Sequence, residues 1–206
     1  VIYPANNAIL VPLSPTITWS APQGATSYKV SIGTTPGGTN IVNQQAVTTN
    51  SFTPAAPLSI NTTYYLRVIS VGVGGESTGC TDIKFKTVPP PPANDDCAAA
   101  VNLTVNPDLN CGTVTAGTTV SATDSGLTPD PCFGTPDDDV WYKFTATATS
   151  HVISLKNVTA AGTTSSTDTY FQVFSGDCAT LNSILCSDPE SAVATGLTAG
   201  STYYIR

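Results

Sequence analysis

Four consecutive prolines, Pro89 to Pro92, constrain this chain more than any other feature. None can donate a backbone hydrogen bond, and together they favour a stiff polyproline II spacer of about 3 Å per residue. Secondary structure does not run through such a segment. The 206 residues therefore divide into a module at 1–88, a linker at 89–92 and a module at 93–206. Each flank is close to the roughly 100 residues over which a small domain can bury its own core.

Threonine occurs 34 times and charged residues make up only 10% of the chain, a mix that favours β-branched strands and polar turns over helices. The expected class is all-β, as two tandem antiparallel β-sandwiches. In the first module, strand-like runs at Thr16 to Trp19, Ser27 to Ile32, Thr62 to Val71 and Ile83 to Lys86 alternate with glycine- and proline-rich turns. In the second, strands are expected at Val140 to Thr145, His151 to Leu155, Thr169 to Phe174 and Ser183 to Leu185, with a short helix at Asn94 to Val101. Both modules contain a leucine followed six residues later by a tyrosine, Leu58 with Tyr64 and Leu197 with Tyr203. That spacing predicts a tyrosine corner, in which a tyrosine near the start of a strand fastens the crossover between sheets.

Three groups of residues in the first module, Thr16-Ile-Thr-Trp19 with Ala25-Thr-Ser-Tyr28-Lys-Val30, the Leu58/Tyr64 corner and Phe85-Lys-Thr87, resemble a fibronectin type III domain. The resemblance implies a seven-stranded sandwich, a core role for Trp19 and use as a spacer or binding module. The integrin-binding Arg-Gly-Asp loop is absent. In the second module, Ala93-Asn-Asp-Asp-Cys97, Asp137-Asp-Asp-Val-Trp-Tyr-Lys-Phe144, Ser166-Thr-Asp-Thr-Tyr170, Ser175-Gly-Asp-Cys178, Cys186-Ser-Asp188 and the Tyr203 corner resemble a CUB-like or pre-peptidase-C-terminal-like, jelly-roll sandwich. Such sandwiches occur in large secreted proteins of gliding and related bacteria that use the type IX export route. The resemblance implies further strands beyond Arg206, so the second sandwich is expected to be truncated at its C-terminus. The Tyr203 strand would then have an open edge.

Little in the sequence points to catalysis. The one histidine, His151, has no Gly-x-Ser-x-Gly elbow or other nucleophile motif beside it, and reads as a strand histidine. Carboxylates alone could serve a glycosidase, but no separate catalytic domain has room in this chain. Asp137, Asp139, Asp168 and Asp188 fall in loops that a sandwich could gather at one end, and their oxygens would suit calcium, the one cofactor considered. The alternative is a solvated acidic turn in which Asp139 accepts hydrogen bonds from backbone amides. Tyr65, Tyr142, Phe171 and Tyr204 alternate away from the expected core and could stack on sugars, or simply pack across strands. Asn61, Asn102 and Asn157 lie in N-glycosylation sequons, which matter only in a host with that machinery.

Six cysteines with few lysines fit an oxidising compartment. Cys178 and Cys186 flank a short loop and are the expected disulfide. Cys97 to Cys132 and Cys111 to Cys132 both remain open as a second pair. Cys80 either crosses the linker or is a buried free thiol, and the resemblance of the second module, with a further cysteine expected on its last strand, favours the thiol.

The chain has no run of 18 apolar residues and no export or lipidation signal, so membrane insertion is not expected, and it reads as a segment of a larger polypeptide. Residues 1–88 carry four basic and two acidic side chains, and residues 93–206 three basic and twelve acidic, an excess that disfavours nucleic acid as a partner. The expected role is a non-catalytic adhesive or structural segment of an extracellular or cell-surface protein. Its partners would be surface glycans, other extracellular proteins and neighbouring modules of the same chain. A carbohydrate-binding accessory region of a secreted hydrolase and a subunit of an extracellular fibre are the two alternatives.

Overall fold

The computed structural model describes residues 1–127, 138–161 and 167–206, which form two compact units, Val1–Pro90 and Pro91–Arg206. Both are built of β-strands, as the threonine-rich, charge-poor composition requires, and each is a sandwich of a larger and a smaller sheet.

The first unit contains β1 (Ala8–Val11), β2 (Ile17–Thr18), β3 (Ala25–Gly33), β4 (Val42–Val47), β5 (Ser51–Phe52), β6 (Thr63–Gly72), β7 (Gly75–Glu76) and β8 (Ile83–Thr87). Its larger sheet runs β1-β8-β6-β3-β4, with β7 added beside β6, and β2 pairs with β5 in the smaller sheet. Alternation decides which side chains turn inward: Tyr28, Val30 and Ile32 of β3, Tyr64 and Leu66 of β6 and Phe85 of β8 meet Ile17 and Trp19 in one core. Trp19 lies edge-on to Tyr28, with ring centroids 5.2 Å apart.

The second unit contains a 3-10 turn at Cys97–Ala99, β9 (Val101–Asn102), β10 (Tyr142–Thr145), β11 (Ser150–Ser154), β12 (Phe171–Ser175), β13 (Asn182–Ser187), β14 (Ser191–Thr195) and β15 (Thr202–Ile205). The 3-10 turn stands where a longer helix was expected, because Asp96 provides no side-chain cap and Ala100 already leaves helical geometry. The larger sheet runs β13-β12-β15-β10-β9, and β11 pairs with β14 in the smaller one. Phe144, Phe171, Val173, Tyr203 and Ile205 point from the larger sheet towards Ala194 and Ile153 of the smaller, forming the main core. The opposite face is covered as well: Trp141 and Phe174 pack with Ala100, and Leu127, Leu181 and Tyr204 lie against them. Two outward assignments are therefore corrected. Phe171 is only 1% exposed, because its strand is central and its face lies over the main core. Tyr142 packs against the same core.

The tyrosine corner occurs twice. Ser59 N–H donates to the Tyr64 hydroxyl and Thr198 N–H donates to the Tyr203 hydroxyl, each at 2.8 Å. Leu58 and Leu197 are buried before the turn. Three residues after each leucine the backbone passes through the left-handed region, at Asn61 with φ 51° and at Gly200 with φ 86°. Asparagine and glycine are the residue types that enter this region at least cost. Their N–H groups donate to Val88 O and Ala146 O, both at 2.7 Å, which ties each turn to the neighbouring strand.

The strand that receives the corner differs. Tyr64 on β6 is followed in the chain by its neighbour β8, whereas Tyr203 on β15 lies between two earlier strands, β10 and β12. The expected open edge beside the Tyr203 strand is thus not found, because β10 already fills that position. Removing either hydroxyl leaves one backbone N–H without its acceptor. Tyr64→Phe and Tyr203→Phe should each cost about 1 to 2 kcal/mol, each confined to its own unit, which hydrogen exchange of the two units during denaturant unfolding would measure.

Candidate functional site

The outer face of the five-stranded sheet in the second unit carries the residues of period-two alternation opposite to the core: Gln172 and Phe174 of β12, Tyr204 of β15, and Trp141 and Arg206 just beyond strand ends. The segment at 97–127 covers part of this face and is held to it by a disulfide between Cys97 and Cys178. Between them lies a concavity of about 190 Å³ lined by Asp96, Cys97, Ser125, Leu127, Trp141, Cys178 and Leu181. Asp96 is exposed, and no hydrogen bond engages its carboxylate among the described residues. Trp141 is 1% exposed and its indole N–H has no acceptor among the described residues, an uncommon state for a buried donor. Leu127 and Leu181 supply apolar walls.

Behind the concavity lies a buried polar cluster. Arg206 donates to Ser125 Oγ at 3.1 Å, Leu127 O at 2.9 Å and Gln172 Oε1 at 2.8 Å, and sits 5.9 Å from the Phe174 ring centroid. Its guanidinium lies 3.5 Å from Asp139 Oδ2, and both side chains are almost fully buried. Ser125 completes the cluster by donating its N–H and hydroxyl to the same Asp139 oxygen. A buried pair of this kind is stable only when its other hydrogen-bonding positions are filled, as Ser125, Gln172 and Leu127 fill them here.

These contacts revise the acidic site read from the sequence. Asp139 is a buried partner of Arg206 and Ser125, and one of its two donors is a backbone amide. Asp168 and Asp188 are exposed, and Asp137 lies outside the described residues. Among the described residues, no three His, Cys, Asp or Glu side chains come together as metal ligands.

The expected bond between Cys178 and Cys186 is corrected by the pairing of Cys178 with Cys97, 81 residues away. The hairpin explains why. Ser175 and Asn182 are partners near its turn, but Cys186 lies opposite Gln172, so Cys186 sits about 13 Å further along β13, beyond the reach of one disulfide. Cys186 is itself disulfide-bonded, and Cys132 lies outside the described residues. Cys80 and Cys111 are free thiols, and Cys80 is half-buried beside Ser77 rather than fully buried. Next to the Cys178 anchor, Asp177 is held below the ordinary carboxylate range by the Thr180 hydroxyl and then by the Ala179 amide. A depressed carboxylate contributes stability at neutral pH, and that contribution is lost as the pH falls through its lowered value.

His151 has a structural part. Its Nε2 accepts the N–H groups of Thr147 and Ala148 at 3.0 and 3.2 Å, and its ring lies edge-on to Phe144. Sequence reasoning missed Arg206, Gln172 and Ser125, which are separated by up to 81 residues and share no local motif.

Two outcomes follow from this geometry. A non-reducing peptide map should recover Cys97 linked to Cys178, and a Cys178–Cys186 peptide would overturn the pairing. Arg206→Met leaves the Asp139 charge buried without its cation, and should destabilise the second unit by about 3 to 5 kcal/mol in denaturant titrations. The double variant Arg206→Met/Asp139→Leu should recover part of that loss, since it removes the stranded charge.

Among curated proteins no match to the chain is found. Residues 93–206 match a family model described as galactose binding domain-like and associated with the type IX secretion system. The match supports the type IX connection and gives the second sandwich as galactose binding domain-like. No helix among the described residues is long and apolar enough to cross a membrane. With more than half of its length matched, the chain belongs to the type IX secretion-associated, galactose binding domain-like family.

Proposed function

We propose that this chain is a non-catalytic, glycan-binding segment of a secreted or cell-surface protein, with its sugar site in the concavity beside the Cys97–Cys178 disulfide. The observation that carries this reading is the exposed Asp96 carboxylate, without a hydrogen bond among the described residues, in the lining of an apolar-walled hollow in a galactose-binding-like sandwich. A carboxylate accepts hydrogen bonds from adjacent sugar hydroxyls, and leucine walls accommodate the C–H face of the ring. At about 190 Å³ the hollow is smaller than the roughly 300 to 1,000 Å³ of drug-sized sites, and it fits one sugar ring rather than a chain. Its disulfide anchor keeps the lining in place before the ligand arrives, which lowers the ordering cost of binding.

In this reading the first unit is a fibronectin type III-like spacer, supported by Trp19 in its core and by the Tyr64 corner. Weak single-ring sites become useful when several are displayed on one surface, so adhesion follows from repetition rather than from a tight site. The accessory role beside a hydrolase uses the same sugar site, and the domains flanking this segment in the full protein distinguish the two.

Calorimetric titration of the 206-residue chain with methyl galactoside, glucoside and mannoside tests the site. Binding of the galactoside, weakened at least roughly tenfold in Asp96→Ala with the fold unchanged, is the expected result. Absence of binding to all three sugars, or equal affinity in Asp96→Ala, would overturn the assignment.

A further inference from the structure

The outer face of the first unit carries a second concavity, on the larger sheet and independent of the galactose-binding-like unit. It measures about 450 Å³ and is lined by Asn7, Ile9, Thr34, Thr63, Tyr65, Lys84 and Lys86, with Ala8 at its base. Register builds it. Tyr65 lies directly opposite Lys84, and Thr63 opposite Lys86, on the antiparallel pair β6 and β8. Since Phe85 between the lysines points into the core, both lysines project to the same side, about 7 Å apart along the strand. The turn at Asn6 and Asn7 is fixed to the same strand by the Lys84 N–H donating to Asn6 Oδ1 and by Asn7 N–H donating to Lys84 O. This wall of the concavity is therefore part of the sheet.

Charge distribution sets the chemistry of this surface. The first unit has four cations and two carboxylates among residues 1–88. Asp82 is committed to Arg67 at 2.7 Å and also accepts the Gly37 N–H, and Glu76 is committed to Lys29. Both carboxylates are thus taken up by ion pairs, and the Arg67–Asp82 pair lies next along the same face as Tyr65 and Lys84 without lining the concavity. Lys84 and Lys86 remain exposed and without an ion pair among the described residues, so the net positive charge of the unit is concentrated at Tyr65.

We propose that this surface binds an acidic saccharide, with the ring against Tyr65, its carboxylate or sulfate between Lys84 and Lys86, and its hydroxyls meeting Asn7, Thr34 and Thr63. An aromatic ring with a hydroxyl presents both an apolar face and a polar edge, the two surfaces of a sugar. Two cations match a polymer charged once per sugar or disaccharide. A nucleic acid backbone, charged at every nucleotide, calls for a longer basic track than the two lysines present here. The lining is rich in hydroxyl and amide groups, which satisfy sugar hydroxyls but offer nothing further to an acidic peptide.

The test uses the 206-residue chain titrated with an oligogalacturonate, a sulfated galactan oligosaccharide and a neutral galactan oligosaccharide, together with a thymidine homopolymer and poly-glutamate. Binding of at least one acidic oligosaccharide over the neutral one is expected, with affinity falling as salt is raised from about 50 to about 500 mM. The carboxylated and sulfated probes distinguish which anion is preferred. Lys84→Gln/Lys86→Gln should reduce affinity roughly tenfold without changing thermal unfolding, because both side chains are exposed. Asp96→Ala, in the second unit, should leave it unchanged, so this site and the galactoside site succeed or fail separately. The proposal is overturned by failure of both acidic oligosaccharides to bind, by binding that the double lysine variant does not weaken, or by equal affinity for the thymidine homopolymer or poly-glutamate.

Discussion

A tyrosine hydroxyl accepting the backbone N–H five residues upstream is the contact on which both units depend. A sandwich must carry its chain from one sheet to the other, and the crossover exposes amides that have left one ladder before joining the next. Tyr64 and Tyr203 meet that need with one oxygen each, while their rings fill the core beside Phe85 and Phe144. The left-handed residue between leucine and tyrosine reverses the chain tightly enough for the contact to form. Asn61 and Gly200 are different solutions to the same backbone requirement. The corner then sets the start of a central strand, and the registers of β6 with β8 and β15 with β10 follow from it.

In the second unit that central strand separates two packed layers. One face of the sheet belongs to the main core and the other to the smaller cluster around Trp141 and Phe174. Where the second face is covered, a side chain on it cannot be solvated, so Arg206 and Gln172 are buried and must be satisfied within the protein. Asp139, Ser125 and the Leu127 carbonyl do this. The same covering segment forms the wall of the candidate sugar site. Tethering Cys97 to Cys178 across 81 residues also removes unfolded-state freedom worth about 4 to 5 kcal/mol on the chain-entropy view of disulfides. Stability and site geometry in this unit therefore share one set of contacts.

The two units differ in how their charge is arranged. The first neutralises both of its carboxylates by ion pairs and leaves two lysines exposed around an aromatic ring. The second carries most of the acidic residues, and its one buried cation is already taken up by Asp139. The two sites proposed above differ accordingly, the one in the second unit without a free buried cation and the one in the first flanked by two lysines.

Local patterns in the chain determined the all-β class, most of the longer strands, both tyrosine corners, the core role of Trp19 and the type IX association. The class, the strands and the corners rest on composition, alternation, turn residues or spacing within about a dozen positions, which short-range physics reads directly, whereas the core role of Trp19 and the type IX association are implied by resemblance to known families. The strands β1, β4, β5, β7, β9 and β14 are not read from the sequence: β5, β7 and β9 have two residues each, β1 is apolar throughout, and β4, Val-Asn-Gln-Gln-Ala-Val, is polar through its middle, so none of these shows a clean alternation of apolar and polar residues. Tertiary structure alone decided that Cys178 bonds Cys97, that Phe171 faces a core, and that Asp139 is matched by Arg206 rather than grouped with Asp188. It also decided that β15 lies between β10 and β12. In each case the partners come from distant strands, and strand order in a sheet depends on which long crossover the whole chain adopts. Alternation shows that a residue has an inside and an outside, and only the assembled sheet shows what waits on each side.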